Sequence, residues 1–215
     1  MALKRVNIGC GKSPTKDWIN FDNSPAIELA NQTFKLFLLK RFGFLNKSQI
    51  ENIEWNMKNK ILFADASKNI PLNNEEVDCI YSSHMMEHLS RKAANKFLHE
   101  CLRVLKPDGV LRLVLPDLKL LVNEYLDNQD ADLFLEKSHL VPPSLDSFRD
   151  KLKLLFIGYR HHQWLYDTES LSKVILRAGF KKVIDQKPGQ TCIKNYGELD
   201  LNERIYGSLF VEAIK

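Results

Sequence analysis

Residues 80–90, IYSSHMMEHLS, contain the residue types that most often perform chemistry in proteins. His84, Glu87 and His88 form an H-x-x-E-H pattern, which one group of zinc peptidases uses. On a helix, two histidines four residues apart share one face and can bind the same zinc ion. A hydrolase would also need an open position for water and a third ligand, which His161 or His162 could supply.

The surrounding sequence favours a different chemistry. His84 directly follows VDCIYSS, an apolar run typical of a strand buried on both faces of a parallel sheet, so only the end of the pattern need be helical. A zinc hydrolase would also leave a glycine turn and two acidic strand ends without a role. The sequence therefore predicts no metal, and zinc hydrolysis is kept as an alternative.

The glycine turn, NIGCGKSP, follows the first predicted strand. Gly9 and Gly11 allow the backbone to turn sharply and to approach a ligand closely. Asp22 ends the second predicted strand, where it can accept hydrogen bonds from a ribose diol, and Asp65 ends the third, where it can accept one from an adenine amino group. Pro14 replaces the third glycine of a dinucleotide turn and has no N–H to offer a phosphate. These residues predict a nucleoside ligand without phosphates.

Alternating strands and helices must position these residues. Strands are predicted in KRVNIG, WINFD, ILFAD, VDCIYSS, VLRLVLPD, FKKVIDQ and GSLFVEAIK. Helices are predicted in RKAANKFLHECLRVL, in LKLLVNEYL and in DTESLSKVILRAGF, which Asp167 or Thr168 begins and Gly179 ends. Residues 127–160 show no regular pattern. The order of elements predicts a doubly wound sheet, with ligands at the carboxyl ends of its strands.

Residues 26–60 form a helical insertion between the second and third predicted strands. AIELANQTFKLFLLKRFGFL has helical length, and SQIENIEWNMKNK has Ser48 as its expected N-cap. Within residues 34–45, phenylalanines alternate with lysine and arginine. This composition favours a packing or lid helix, and a peripheral contact with a membrane surface is the alternative.

Composition indicates a globular protein with one domain over residues 1–215. Of its 215 residues, 44% are hydrophobic and 27% are charged, which suits a substantial core. A net charge of +4 is too small to predict nucleic-acid binding, and no apolar run reaches the roughly 20 residues of a membrane-spanning helix. The start, MALKRVNIGCG, predicts no signal peptide, and the four dispersed cysteines indicate reduced thiols. A cytoplasmic location and no stable membrane insertion are expected, and the oligomeric state is left open.

The sequence resembles the class I S-adenosylmethionine-dependent methyltransferases, of the small-molecule, type 11-like kind. The matching stretches, in family order, are VNIGCG, WINFD, LFADA, VDCIYSSHMMEHL, ECLRVLKPDGVLRLVLPD and HHQWLYDTESLSKVILRAGF. The resemblance implies an α/β fold, a Rossmann-like three-layer sandwich with a seven-stranded, mostly parallel sheet whose last strand is antiparallel. It implies S-adenosylmethionine as cofactor, S-adenosylhomocysteine as product and a small-molecule or sugar-containing acceptor.

The resemblance also assigns cofactor-binding residues. Gly9 and Gly11 would lie against the methionine part, Asp22 would hold the ribose, and Asp65 with the backbone of Ala66 would meet the adenine. The full set is Asn7, Gly9, Cys10, Gly11, Asp22, Asp65, Ala66, Ser82, Ser83 and His84. Many members have an acidic residue where Asn7 stands, so a charged contact to the cofactor's amino group must be weaker or arranged differently.

Methyl transfer to a hydroxyl or an amine is helped by a base, and histidine is the usual choice because its pKa lies near neutrality. His84 is the first candidate and His162 the second. Glu87 and His88 would open the next helix and pair with loop groups. A third hypothesis is a module that binds the cofactor without turnover, although the retained glycine turn, aspartates and His84 argue against it.

The loop GYRHHQWLYD is dense in polar and aromatic groups and is therefore a candidate substrate wall. Arg160, Trp164 and Tyr166 are the substrate candidates within it, together with Asp117 at the end of the fifth predicted strand. Trp164 and Tyr166 could instead anchor the loop in the core. Asp117 could instead cap the following helix.

Overall fold

The computed structural model describes residues 3–30, 32–141 and 161–215. Its strands are β1 (Arg5–Ile8), β2 (Ile19–Asp22), β3 (Leu62–Phe63), β4 (Val77–Ser83), β5 (Leu105–Pro116), β6 (Lys182–Gln186) and β7 (Ser208–Ile214). They form a sheet in the order β3-β2-β1-β4-β5-β7-β6, in which β7 runs antiparallel to both of its neighbours and the other pairs are parallel. The predicted seven-stranded sheet with an antiparallel last strand is confirmed.

Helices connect the strands. In the described ranges they are α1 (Pro25–Ala30), α2 (Thr33–Arg41), α3 (Lys47–Lys58), α4 (Arg91–Val104), α5 (Leu118–Asn128), α6 (Ala131–Ser138) and α7 (Thr168–Ala178), and a 3₁₀ turn covers Met86–His88. None of these helices combines the length and hydropathy needed to cross a membrane. Glu87 and His88 therefore lie in a short turn ahead of α4, and not in the helix that the sequence predicted.

Capping side chains fix most helix starts. Asp167 begins α7 with a capping box that includes Ser170, and Gly179 ends it with a left-handed backbone, as predicted. The prediction of Ser48 as the N-cap of α3 is wrong. Asn46 caps this helix and forms a capping box with Gln49, so the helix begins two residues earlier and Ser48 lies inside its first turn.

The main core lies between the sheet and α4 with α7. Phe97, Leu98 and Cys101 of α4 meet Leu171 and Ile175 of α7, and all five are fully buried. The stripe of apolar residues at three- and four-residue spacing therefore faces the sheet as predicted. Burying each large side chain contributes roughly 1.5–3 kcal/mol relative to leaving it exposed.

The opposite face of the sheet is covered by residues 187–207, which have no regular structure beyond turns. Ile193, Leu199 and Leu201 pack there on strand residues that alternate with those of the main core. An ion pair between Arg112 on β5 and Glu212 on β7 holds this segment in place, with both side chains fully buried and 2.8 Å apart. Arg112 also donates to the Gln190 carbonyl, and Glu212 accepts from the backbone N–H of Cys192.

Candidate functional site

The glycine turn follows β1 at the carboxyl edge of the sheet. Gly9 and Gly11 have positive φ angles of 71° and 51°, which favour glycine. The N–H groups of Gly9 and Cys10 donate to the Phe21 carbonyl, and the Gly11 N–H donates to Asp22 Oδ2 at 3.0 Å. The turn is thus tied to the end of β2 by three hydrogen bonds.

The two glycines face different surroundings. A Cβ atom on Gly9 would lie 2.6 Å from Cγ of Met85, because the residues after β4 pack directly on the turn. A Cβ atom on Gly11 would meet no described atom within 4 Å. Gly9 therefore serves close packing inside the protein, while the space beside Gly11 is open.

Asn7 stabilises the glycine turn through its side chain. Its buried side-chain amide donates to the Ser13 carbonyl at 3.2 Å and to the Thr15 hydroxyl at 3.0 Å. Asn20 holds Thr15 in turn, because its side chain accepts from the Thr15 N–H and donates to the Thr15 carbonyl. Sequence reasoning missed Thr15 and Asn20. Asn7 shapes the loop through these bonds, and a direct contact with the cofactor stays a prediction.

Asp22 ends β2 as predicted, whereas Asp65 lies two residues after the end of the neighbouring β3, which is shorter than the predicted strand. Asp22 accepts from two backbone N–H groups, those of Gly11 and Ser24, so its carboxylate is oriented before any ligand arrives. Asp65 accepts from the Ser67 hydroxyl at 2.6 Å and pairs with Lys68 at 2.9 Å. Burial opposes ionisation of Asp65, but the Ser67 and Lys68 contacts hold the pKa of its carboxyl below the usual value.

The side chains of Cys10 and Ala66 point into the protein. Cys10 packs with Ile27 and Ile61 in a small cluster under α1, and burial raises the pKa of its thiol to about 12. Ala66 is buried in the main core. Their predicted roles in cofactor binding therefore depend on backbone atoms, and neither side chain is available to a ligand.

The end of β4 places Ser82, Ser83 and His84 beside the glycine turn. Both serine hydroxyls are buried. Ser83 lies within hydrogen-bonding reach of the Tyr81 hydroxyl, whereas Ser82 has no hydrogen-bond partner among the described residues. A buried hydroxyl without a partner is rare, so Ser82 is a candidate for a ligand contact. His84 leaves the strand with a left-handed backbone, φ 47°, and its N–H donates to the Val114 carbonyl.

One nitrogen of the His84 ring is hydrogen-bonded, and the other lies close to a carboxylate. Nε2 lies 2.9 Å from the Ser208 hydroxyl, and Nδ1 lies 3.5 Å from Oε1 of Glu87. Burial, together with the positive charge of Arg204 and the nearby histidines, lowers the pKa of His84 to about 3. The ring is therefore neutral at pH 7, but it holds an added proton weakly.

Glu87, in the 3₁₀ turn that follows His84, is a buried acidic residue. Its side chain is fully buried, and burial raises the pKa of the carboxyl to about 7. His162 lies beside it with Nε2 at 4.0 Å from Oε1, and burial lowers the pKa of His162 to about 4. The backbone carbonyl of Glu87 accepts from the N–H groups of Gln163 and Trp164, which joins the loop before α7 to the end of β4.

The candidate substrate residues differ in their exposure and in their contacts. Tyr166 is fully buried in the main core, which agrees with the anchoring alternative, whereas Trp164 is 44% exposed with the Arg91 guanidinium 4.7 Å from its ring centroid. Asp117 caps α5 by accepting from the Lys119 N–H at 2.8 Å, as its alternative predicted. Arg160 lies outside the described residues. Trp164 is therefore the most exposed of the substrate candidates that the structure describes.

Helix α3 of the 26–60 insertion borders the glycine turn. The Lys12 ammonium lies 4.0 Å from the centroid of the Trp55 ring and bonds to the side chain of Asn52. A shallow pocket of about 430 Å³ opens there, lined by Lys12, Ser48, Gln49, Glu51, Asn52 and Trp55. The insertion thus forms one wall beside the cofactor edge of the sheet.

Known proteins share this architecture. The sequence model of a family described as a methyltransferase domain matches residues 6–113, whereas no curated protein is significantly similar to the chain. Among solved structures, a SAM-dependent methyltransferase from Thermotoga maritima is 17% identical, with 100% of this chain and 83% of that chain covered and a TM-score of 0.51. One from Methanosarcina mazei is 16% identical, with 99% and 92% covered and a TM-score of 0.50. At these identities the two structures are evidence for the fold alone.

Proposed function

The chain belongs to the class I S-adenosylmethionine-dependent methyltransferases, and on that premise we propose that it methylates a small-molecule or sugar-containing acceptor. One observation carries this proposal: the glycine turn, two acidic strand ends and the β4 end with His84 share one edge of the sheet. A doubly wound sheet binds its ligands at that edge.

The residues present suit the cofactor. The free space beside Gly11 would admit a ligand, and the unpartnered hydroxyl of Ser82 would gain a hydrogen bond from one. We assign the ribose to Asp22, whose two backbone hydrogen bonds fix the carboxylate, and the adenine to Asp65. When bound, S-adenosylmethionine supplies a methyl group activated by its positively charged sulfur.

For the remaining steps the chain has to orient the acceptor, exclude water and accept a proton. The geometry favours His84 over His162 for proton transfer. His162 is buried, with Nδ1 bonded to the Ser138 carbonyl and Nε2 facing Glu87. His84 keeps 17% of its side chain exposed, and its Nε2 already bonds to a hydroxyl, that of Ser208. An acceptor hydroxyl or amine would compete with Ser208 for that nitrogen.

The test is the release of S-adenosylhomocysteine by the full chain with a panel of hydroxylated and amine acceptors. We expect His84→Ala to lower kcat by about 10²–10⁴-fold. His99→Ala is the matched control, because His99 is exposed on α4 and its ring bonds to the Asn95 carbonyl one turn before it. Cofactor binding without turnover on any acceptor would support the non-catalytic module instead.

For α2 we propose a contact surface outside the core. Phe34, Phe37, Phe42 and Phe44 are 61–74% exposed, whereas Leu36 is the residue of this helix that is buried. The packing interpretation of this segment therefore applies to Leu36 and Leu45, which pack with Ala30 and Ile53, and a lid or a peripheral membrane contact accounts for the phenylalanines. Flotation with anionic vesicles separates the two. A lid predicts no binding, whereas a membrane contact predicts binding that Phe34→Ser with Phe37→Ser abolishes.

A further inference from the structure

The described structure gathers three potential metal ligands at a place where the sequence predicted none. Glu87, His88 and His162 each offer one ligand atom, and these atoms lie within 4.8 Å of one another. The zinc-peptidase pattern does not account for the cluster, because His84 and His88 do not share a helix face. His162 comes instead from the loop before α7, which the Glu87 backbone carbonyl holds against the β4 end.

Glu87 supplies the first reason to expect a cation here. The side chain is fully buried, and neither carboxylate oxygen accepts a hydrogen bond from another residue in the described part of the chain. A buried carboxylate without hydrogen bonds is strongly unfavourable unless a positive charge or a proton neutralises it. Two histidine rings lie beside Oε1 of Glu87, with His162 Nε2 at 4.0 Å and His84 Nδ1 at 3.5 Å. The positive charge of Arg204 also acts on this carboxyl, but Arg204 forms no ion pair with it.

The histidine tautomers supply the second reason. His162 Nδ1 lies 2.7 Å from the Ser138 carbonyl, and His88 Nδ1 lies 3.1 Å from the His161 carbonyl. A carbonyl oxygen can only accept, so each Nδ1 carries the hydrogen, and in the neutral ring Nε2 keeps a lone pair. Metal-binding histidines are oriented in this way, with one ring nitrogen donating to a backbone carbonyl and the other facing the metal.

The two observations combine into a site for a positive ion. In the neutral rings the Nε2 atoms of His88 and His162 are acceptors, and the ionised carboxylate of Glu87 is also an acceptor, so nothing in the set can donate. The ring centroids of the two histidines are 5.0 Å apart, which keeps both nitrogens near the carboxylate. Two imidazoles and one carboxylate, with a position left for a further ligand, suit zinc better than magnesium, which prefers oxygen ligands.

We propose that Glu87, His88 and His162 bind a divalent transition-metal ion of the zinc type. The site lies next to His84, so the bound ion would adjoin the end of β4 where the acceptor is proposed to bind. Metal binding itself does not depend on the proposed methyl transfer, and it is measured without cofactor or acceptor. The competing explanation is a proton on Glu87, shared with a histidine nitrogen.

The experiment titrates chelator-treated full chain with Zn²⁺ against a chromophoric chelator, and repeats the titration with Co²⁺ to follow its visible absorption. We expect one ion per chain, with Glu87→Gln and His162→Gln each weakening affinity by at least about tenfold. His99→Gln and Cys192→Ser should leave affinity unchanged, because they remove an exposed histidine and an exposed thiol outside the cluster. Zn²⁺ should also raise the Tm of the wild type but not that of Glu87→Gln.

Glu87→Gln keeps the shape of the side chain and replaces a buried acid by a neutral amide, so it tests the proposal even if His162→Gln does not fold. A proton on Glu87 predicts a different pattern. The wild type would then bind no stoichiometric Zn²⁺, or would bind it with an affinity that Glu87→Gln leaves unchanged. Either result would overturn the metal site and leave the methyltransferase assignment intact.

Discussion

Replacing Gly9 with alanine should destabilise the protein more than replacing Gly11, although both glycines have left-handed backbones. The φ angles are 71° and 51°, so an alanine at either position costs roughly 1–2 kcal/mol in backbone strain. At position 9 the new Cβ would also lie 2.6 Å from Cγ and 2.8 Å from Cβ of Met85. Carbon atoms prefer separations of about 3.5–4.0 Å, so Met85 must shift by about 1 Å.

Forcing an extra methyl group into packed surroundings costs about 1–3 kcal/mol. The expected destabilisation is therefore about 2–5 kcal/mol for Gly9→Ala and about 1–2 kcal/mol for Gly11→Ala, where no described atom lies within 4 Å of the new Cβ. Urea unfolding, followed by tryptophan fluorescence and extrapolated linearly, measures both free energies of unfolding.

Met85→Ala provides the control, because it removes the nearer of the two clashing atoms. In a double-mutant cycle, Gly9→Ala should cost less stability in the Met85→Ala background than in the wild type. The free-energy changes of Met85→Ala and Gly11→Ala should instead be additive. Equal destabilisation by Gly9→Ala and Gly11→Ala, within about 0.5 kcal/mol, would refute the packing of Met85 on the glycine turn.

Three further predictions concern the scaffold around the site. Glu212→Gln leaves the buried Arg112 charge uncompensated and should lower the free energy of unfolding by about 3–5 kcal/mol. Glu124→Gln, in the exposed pair with Lys137, should lower it by less than about 1 kcal/mol. Equal losses of stability in urea would contradict the role of the buried pair. Asp167→Ala removes the N-cap of α7 and should lower the free energy of unfolding by about 0.5–2 kcal/mol. Asp132→Ala, in α6, is the control because Asp132 does not cap its helix. An unchanged urea midpoint in Asp167→Ala would argue against the cap. The hydrogen bond from Arg103 holds the pKa of Glu100 below its ordinary value of 4.5, so this contribution to stability is complete above that pH and is lost as the pH falls through the folded-state pKa. Glu100→Gln should therefore flatten the loss of stability measured below about pH 4.5, and a curve parallel to that of the wild type would count against the pairing.

The sheet and its site edge could be predicted because they depend on local signals. Buried strands such as β4 are short apolar runs, and α4 and α7 show regular apolar spacing with capping residues. Asp22 and Asp65 could be placed from sequence because a residue at the end of a parallel strand lies at the ligand edge whatever the details of packing. The family resemblance then supplied the expected cofactor.

Other features depend on contacts between distant parts of the chain. His162 meets Glu87 only because the loop before α7 is hydrogen-bonded to the β4 end, and no local pattern reports this. The segment 187–207 is held on one face of the sheet by hydrogen bonds to the buried Arg112–Glu212 pair. The burial of an arginine within a strand cannot be predicted from the local sequence. Sequence alone likewise left Tyr166 with two interpretations, and burial favours the core anchor.

Two errors concern helix starts for which the sequence does contain a signal. Asn46 followed three residues later by Gln49 is a capping-box pattern, and it precedes Ser48 on the chain. Helix α6 lies in the range 127–160, which was expected to be irregular, although Asp130 is a good N-cap and its side chain accepts from the Leu133 N–H. A capping box thus marks the start of α3, and a single N-cap residue marks the start of α6.

Calorimetric titration of the full chain with S-adenosylmethionine tests the central claim most directly, with NAD as the dinucleotide control. We expect one binding site for S-adenosylmethionine and none for NAD, because Pro14 interrupts a pyrophosphate turn. Asp22→Ala removes the proposed ribose acceptor together with the hydrogen bonds to Gly11 and Ser24, and should weaken binding by roughly 1–3 kcal/mol. Absence of S-adenosylmethionine binding by the wild type would contradict the proposed function, and an unchanged affinity in Asp22→Ala would contradict the assigned ribose site.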